Sequence, residues 1–210
     1  LQKVVEAKIP LVMFDRIHSK IHTSRVKVDD FRGSYIATEH LIKQGLSKIA
    51  HFHGNLDLQI YHERFEGYKQ ALRDYQIELD PEIIFGGDCF IEVGRSLTEQ
   101  LVTSGASFDA IFASSDYKAI GAIKQLKSMN IAVPKDIKVM GFSNEPLTEL
   151  LEPSISSVDQ KPKEMGVQVA KSLLELAESK NESKPVKTTI LDPELILRES
   201  SSKELAYHLE

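Results

Sequence analysis

Short apolar, β-rich runs alternate with longer stretches of helical periodicity, at a spacing of roughly 30 residues, along most of the chain. The runs cover residues 11–14, 49–53, 83–85, 110–113 and 137–142, and the helical stretches 31–44, 64–75, 93–103, 118–129 and 164–178. In the first stretch Phe31, Tyr35, Thr38, Leu41 and Ile42 recur at helical spacing, and Gly45 follows where a left-handed stop is expected. Gly105 plays the same part after the third. Residues 109–113 read as a strand buried on both faces. This alternation predicts βαβ units and a parallel sheet, hence an α/β fold. Successive units are not copies of one another, which argues against a solenoid. Residues 179–187 read as a solvated polar loop, and 188–198 as a final strand pair around Asp192-Pro193.

Composition narrows the function classes. The 210 residues carry 26 Lys and Arg against 31 Asp and Glu, a net charge of −5. A surface that grips phosphate backbones is usually basic, so this stretch is not expected to bind nucleic acid itself. No apolar run approaches the ~20 residues of a membrane span, and the first ten residues lack a signal-peptide pattern. Cys89 is the single cysteine, which excludes an internal disulfide and a Cys-rich zinc site. Neither phosphate-loop pattern, G-x-x-x-x-G-K-[ST] or G-x-G-x-x-G, is present. His51 and His53 share one strand face but have no evident third ligand, so no metal is expected. There is no G-x-S-x-G elbow and no motif that marks Cys89 as a nucleophile. An enzyme is not expected, and no cofactor is called for.

In open α/β sheets ligands sit at the carboxyl ends of the strands. Asp15-Arg16, His53-Gly54, Gly87-Asp88, Ser114-Ser115-Asp116 and Ser143-Asn144 all follow predicted strands, and Arg64 opens a predicted helix. Carboxylates, a guanidinium fork and small hydroxyls or amides suit a polyhydroxylated ligand. The same residues also serve plainer ends: Ser115 and Asp116 are good N-cap types, as are Asp29 and Asp30 before the first helix.

Several of these segments resemble LacI/GalR-type transcriptional regulators. VDDFRGSYIATEHL at 28–41 is similar to their VDNxxGAxxATEHL segment. HFHG at 51–54 with RFEGY at 64–68 resembles their strand and RxxGY motif, and FASSDYKAIGA at 112–122 their ANDxxAxGA signature. VMGFSNEP at 139–146 and PSISSVDQ at 153–160 resemble VxGFDDxP and PxLTTVxQ, and LILRES at 195–200 the LxxRES ending. The motifs occur in the family's order from about residue 9 to residue 200. The resemblance implies a periplasmic-binding-protein-like effector domain of two parallel-sheet α/β lobes joined by crossover segments. A small effector, a sugar or sugar derivative, would bind in the interlobe cleft and modulate operator binding through a DNA-binding headpiece absent from this chain. It also implies a cytoplasmic homodimer without membrane contact; the rival reading is an exported sugar-binding protein of a transporter.

The chain opens at what resembles the fourth strand of the first lobe, so that lobe is expected to be incomplete and prone to self-association or local disorder. Residues 8–45 and 158–181 are assigned to it, 46–157 and 188–202 to the second lobe, and 203–210 to a tail whose Leu209-Glu210 ending reads as a vector scar. Carried over position by position, the resemblance implies ligand contacts at Asp15, Arg16, Arg64, Ser115, Asp116, Ser143, Asn144 and Gln160. Ser115 stands where the family often has Asn and Ser143 where it often has Asp. Cys89 replaces a stacking aromatic ring, a role the adjacent Phe90 would take.

Overall fold

The structure, a computed structural model, describes residues 1–7, 9–18, 20–178 and 186–202. The chain divides into two units, Leu1–Asp29 with Gln160–Pro193, and Asp30–Asp159 with the chain from Glu194 onward. The first unit opens with α1 (Gln2–Glu6), β1 (Val12–Phe14) and β2 (Ser24–Val28). The second follows with α2 (Asp30–Lys43), β3 (Ile49–His53), α3 (Gln59–Asp74), β4 (Ile84–Gly86), α4 (Ile91–Ser104), β5 (Ala110–Ala113), α5 (Asp116–Ser128), β6 (Lys138–Met140) and β7 (Ser157–Asp159). The chain then re-enters the first unit as α6 (Pro162–Glu178) and β8 (Thr188–Leu191), and returns to the second as β9 (Glu194–Ile196).

The second unit is built on a parallel sheet in the order β4-β3-β5-β6. Its central strands are covered on both faces, which is why β5 reads as an unbroken apolar run and β3 as one broken only by His51 and His53. Side-chain alternation along a strand sends Phe52, Ile111 and Val139 into one core with Leu97 and Leu101 of α4 and Ile120, Ile123 and Leu126 of α5. It sends Ile49, Phe112 and Met140 into the other, with Leu41 and Ile42 of α2 and Tyr68 and Leu72 of α3. β7 and β9 add an antiparallel pair. The first unit's sheet runs β1-β2-β8, all parallel. Among the described residues its core is the smaller: Val26, Val28, Met165 and Leu191, against fifteen and twelve buried apolar residues in the second unit's two clusters. At about 1.5–3 kcal/mol for each large side chain buried, the second unit holds most of the apolar stabilisation.

Several elements differ from the sequence expectation. The helix expected at 64–75 begins at Gln59, so Arg64 lies in its second turn instead of opening it. The final strand pair is two strands in different sheets: β8 pairs with β2, and β9 with β7. Asp192-Pro193 is a crossover, and the proline, lacking an N–H, could not extend a ladder there. β2 escaped notice because Arg25 and Lys27 alternate with its buried Ser24, Val26 and Val28. Helix α2, expected in the first lobe, belongs to the second unit, since it packs along α3 and shares its core. Residues 179–185 of the expected loop and the tail 203–210 lie outside the described residues.

Helices α4 and α5 approach so closely that a Cβ on Gly121 would lie 2.1 Å from the Ile91 carbonyl oxygen, and one on Gly94 would lie 2.3 Å from that of Lys118. Alanine is the better helix former by about 1 kcal/mol. Forcing the two backbones apart costs about 1–3 kcal/mol. Gly121→Ala is therefore expected to lower the urea unfolding midpoint; a midpoint equal to or above that of the unchanged chain would contradict this packing.

Candidate functional site

The four parallel strands of the second unit end on one edge, and the segments that leave them carry most of the polar residues singled out above. Arg64 reaches this edge from α3 and is 3% exposed. Its Nε donates to Asp30 Oδ1 at 2.7 Å, with both side chains 3% exposed. One terminal nitrogen donates to the Ser114 carbonyl at 2.8 Å. The guanidinium lies 3.7 Å over the Phe142 ring centroid and 5.4 Å from that of Tyr61. Asp30, one of the two candidate caps, is the first residue of α2 and serves as this guanidinium's partner.

Ser115 does cap α5, its hydroxyl accepting from the Lys118 N–H at 3.4 Å. Asp116 is fully buried at the first position of that helix. One carboxylate oxygen accepts from the Glu145 N–H at 2.8 Å and the other from the Ser157 hydroxyl at 2.6 Å. Gly141 makes the approach possible, because a Cβ there would lie 2.1 Å from Asp116 Oδ1. Burial pushes the Asp116 carboxyl up to about 6, against the pull of the Ser157 and Glu145 hydrogen bonds and of Arg198.

Ser143 and Asn144 follow β6 with φ of 128° and 55°. Two successive non-glycine residues at positive φ store strain, which collects at ligand clamps and similar sites. The Ser143 N–H donates to the Val158 carbonyl at 2.9 Å. The Asn144 N–H donates to Ser157 Oγ at 3.0 Å and its side-chain amide to Asp159 Oδ2 at 3.2 Å. Its carbonyl oxygen accepts from Arg198 at 2.9 Å. Phe90, at the start of α4, leaves its ring 65% exposed. The neighbouring Cys89 thiol donates to the Tyr61 hydroxyl at 3.0 Å.

The edge thus gathers Arg64, Ser115, Asp116, Ser143, Asn144 and Phe90. The other three expected residues belong to the first unit. Asp15 follows β1 with φ of 57°, its N–H donating to the Val26 carbonyl at 3.2 Å. Arg16 beside it is exposed, and Gln160 directly follows β7. His51 is a core residue. Its Nδ1 meets the Phe112 carbonyl at 3.0 Å, it stacks on Tyr68 at 4.6 Å between ring centroids, and burial holds it well below the usual range. Among the described residues no three His, Cys, Asp or Glu side chains group to hold a metal, and no helix is long and apolar enough to cross a membrane.

Sequence reasoning missed three participants: Asp30 as a partner, the Phe142 face, and Lys118. Lys118 is fully buried, its ammonium donating to the His53 carbonyl at 2.7 Å and the Gly87 carbonyl at 3.4 Å. Burial pushes its amine down to about 8. The only advance sign was a lysine followed by the small or apolar run Ala119, Ile120, Gly121 and Ala122.

Residues 38–201 match the family described as a periplasmic binding protein-like domain. The ribose operon repressor of Haemophilus influenzae is 31% identical over 192 residues, covering 91% of this chain and 57% of that protein. The chain thus spans little more than half the length of that relative. A LacI family transcriptional regulator from Enterococcus faecium with bound ribose superposes with a TM-score of 0.88 at 27% identity, over 96% of this chain and 74% of that one. A sugar-binding transcriptional regulator of the LacI family from Escherichia coli, complexed with phosphate, gives 0.83 at 32% identity, over 95% and 71%.

Two outcomes follow from the geometry. Arg64→Met strips the buried Asp30 carboxylate of its guanidinium and is expected to cost about 3–5 kcal/mol in chemical denaturation; a loss below about 1 kcal/mol would mean the pair is not buried as described. Asp116 binds its proton more tightly folded than unfolded. Its contribution to stability therefore falls as pH rises from about 4 to about 6, by on the order of 2 kcal/mol, and is level above that. Asp116→Asn should remove this component of the pH dependence, and an unchanged slope would assign it elsewhere.

Proposed function

Because the chain belongs to the LacI family of periplasmic-binding-protein-like regulator domains, we propose that it is the ligand-sensing part of a transcription regulator. On this reading it binds a sugar or sugar derivative at the carboxyl edge of the second unit's sheet. The carrying observation is the edge itself, where a pinned guanidinium, a strained Ser143-Asn144 pair and an exposed ring at Phe90 stand at the ends of parallel strands. Donors and acceptors for vicinal hydroxyls lie beside an apolar face, the usual make-up of a sugar site. The ribose named for the Enterococcus faecium regulator and the operon named for the Haemophilus influenzae repressor support a sugar.

Asp15, Arg16 and Gln160 are proposed as further contacts on the family resemblance alone. Ser143 and Cys89 replace a carboxylate and an aromatic ring of the family pattern, so Asn144 and Phe90 are the residues that would take up those tasks. Within the longer protein, effector occupancy would bias operator binding through a headpiece outside this chain, in a cytoplasmic homodimer. Such control is a coupling free energy, set by how much better the effector binds one state than the other. The names of the relatives favour a regulator over an exported transport protein. A sensor also fits the edge better than a catalyst, since its ionisable groups are engaged with one another and with backbone, with no paired nucleophile and base among them.

A thermal-shift screen of this chain against mono- and disaccharides, sugar phosphates and purines tests the reading. A sugar-class ligand is expected to raise the melting temperature saturably, as a ligand that binds only the folded state must. Phe90→Ala should weaken that ligand by about 0.5–1.5 kcal/mol while leaving the ligand-free melting temperature unchanged, because the ring is exposed. A response to purines alone, or full affinity in the Phe90 variant, would count against the proposal.

A further inference from the structure

Two cations are buried at the carboxyl edge, Arg64 and Lys118. Arg64 is paired with Asp30, and the part-buried Arg198 donates to Asn144 and to the Ile155 carbonyl. The Lys118 ammonium has only the carbonyls of His53 and Gly87, and no carboxylate of the described residues lies within ion-pair distance. Asp88 and Cys89 act on it only at longer range, and Arg64 opposes it. A buried cation held by neutral dipoles has lost its hydration without gaining a counter-charge, an arrangement that an anion repairs.

The position is suited to a ligand. His53 and Gly87 stand at the carboxyl ends of β3 and β4, and the chain leaving Gly87 runs directly to Cys89 and the exposed Phe90. The Gly87 bond is the longer of the two, at 3.4 Å, and so is the one an incoming acceptor displaces most easily. Lys118 is fully buried, so a ligand reaches its amine only where the Gly87 contact gives way.

We propose that Lys118 makes this site select an effector carrying an anionic substituent, a phosphate ester or a carboxylate, over its neutral counterpart. This rests on the sugar-sensing reading above and names the ligand class more narrowly. The rival is a purely structural lysine that caps two strand ends.

Titration calorimetry and thermal shift at constant ionic strength, with ribose, ribose 5-phosphate, ribonate and inorganic phosphate as probes, separate the two. At least one of the charged sugars is expected to bind tenfold or more tightly than ribose, and which one does so distinguishes a phosphate from a carboxylate. Inorganic phosphate alone should give a weak, saturable rise in melting temperature. Lys118→Met, close in volume and uncharged, should abolish both effects, and Lys118→Arg should keep part of the preference. A structural lysine would instead change the melting temperature of the Met variant and leave the preference intact, overturning the proposal. Ribose binding with no gain from either anionic group would also overturn it while sparing the sugar-sensing reading. Phosphate binding that depends on Lys118 without any sugar binding would sustain the anion site and sink the sugar. No response to any probe would overturn both.

Discussion

Asp30 and Arg64 meet at 2.7 Å with each side chain only 3% exposed, so neither charge is solvated by water. Their attraction at an effective dielectric near 20 is about 4 kcal/mol, and removing two ions from water costs several kcal/mol each. The pair is tolerable because Arg64 has further partners: the Ser114 carbonyl takes one nitrogen, and the Phe142 ring lies under the guanidinium plane. Its value lies less in net stability than in specification. One guanidinium fixes the start of α2, the second turn of α3, the end of β5 and Phe142, two residues past β6, in a single register. Asp116 continues the same edge from α5, tying Glu145 and Ser157 to the first turn of that helix.

How much of this the sequence discloses depends on whether a signal is local. The strand at 110–113 was legible to the residue because both faces are covered, so the run is apolar without interruption, and the one at 49–53 because only its two histidines break such a run. The stops at Gly45 and Gly105 were legible because positive φ is nearly reserved for glycine, and both adopt it, at 87° and 76°. The partner choice of β8 and β9 was not legible. Two β-rich runs either side of Asp192-Pro193 look like neighbours, and only long-range pairing sends one to β2 and the other to β7. The placement of α2 failed for the same reason, since its amphipathic pattern states that it has a buried face but not which core receives it.

The site divides along the same line. Residues just after strands could be listed from the sequence, because the end of a parallel strand is a local feature. Their engagements could not. Ser115 turned out to be a helix cap, so the plain reading of that position describes its hydrogen bond, and the hydroxyl sits at the proposed edge all the same. Asp30 looked like a cap of equal standing and is a buried counter-ion. Lys118 gave almost no signal, because a lysine near a helix start is ordinary until the fold buries it.

Asn144 shows how the proposed edge would report on an effector. Its amide is bonded to Asp159, the last residue before the chain leaves the second unit, and to Arg198, which follows β9 just after the chain returns. Arg198 in turn holds the Ile155 carbonyl and exchanges bonds with Ser156. An effector that bonds Asn144 must compete with these partners or reinforce them, because one amide has few donors and acceptors to share. Either way the ligand's binding free energy includes a term from the segments that enter and leave this unit. By linkage, the factor by which an effector would shift those segments is the factor by which a shift in them would change its affinity. The strained backbone at Ser143 and Asn144 sharpens the effect, since a strained φ persists only while its surroundings hold it. The proposed edge, assembled from crossover-linked residues, would therefore be coupled to the chain connections by construction.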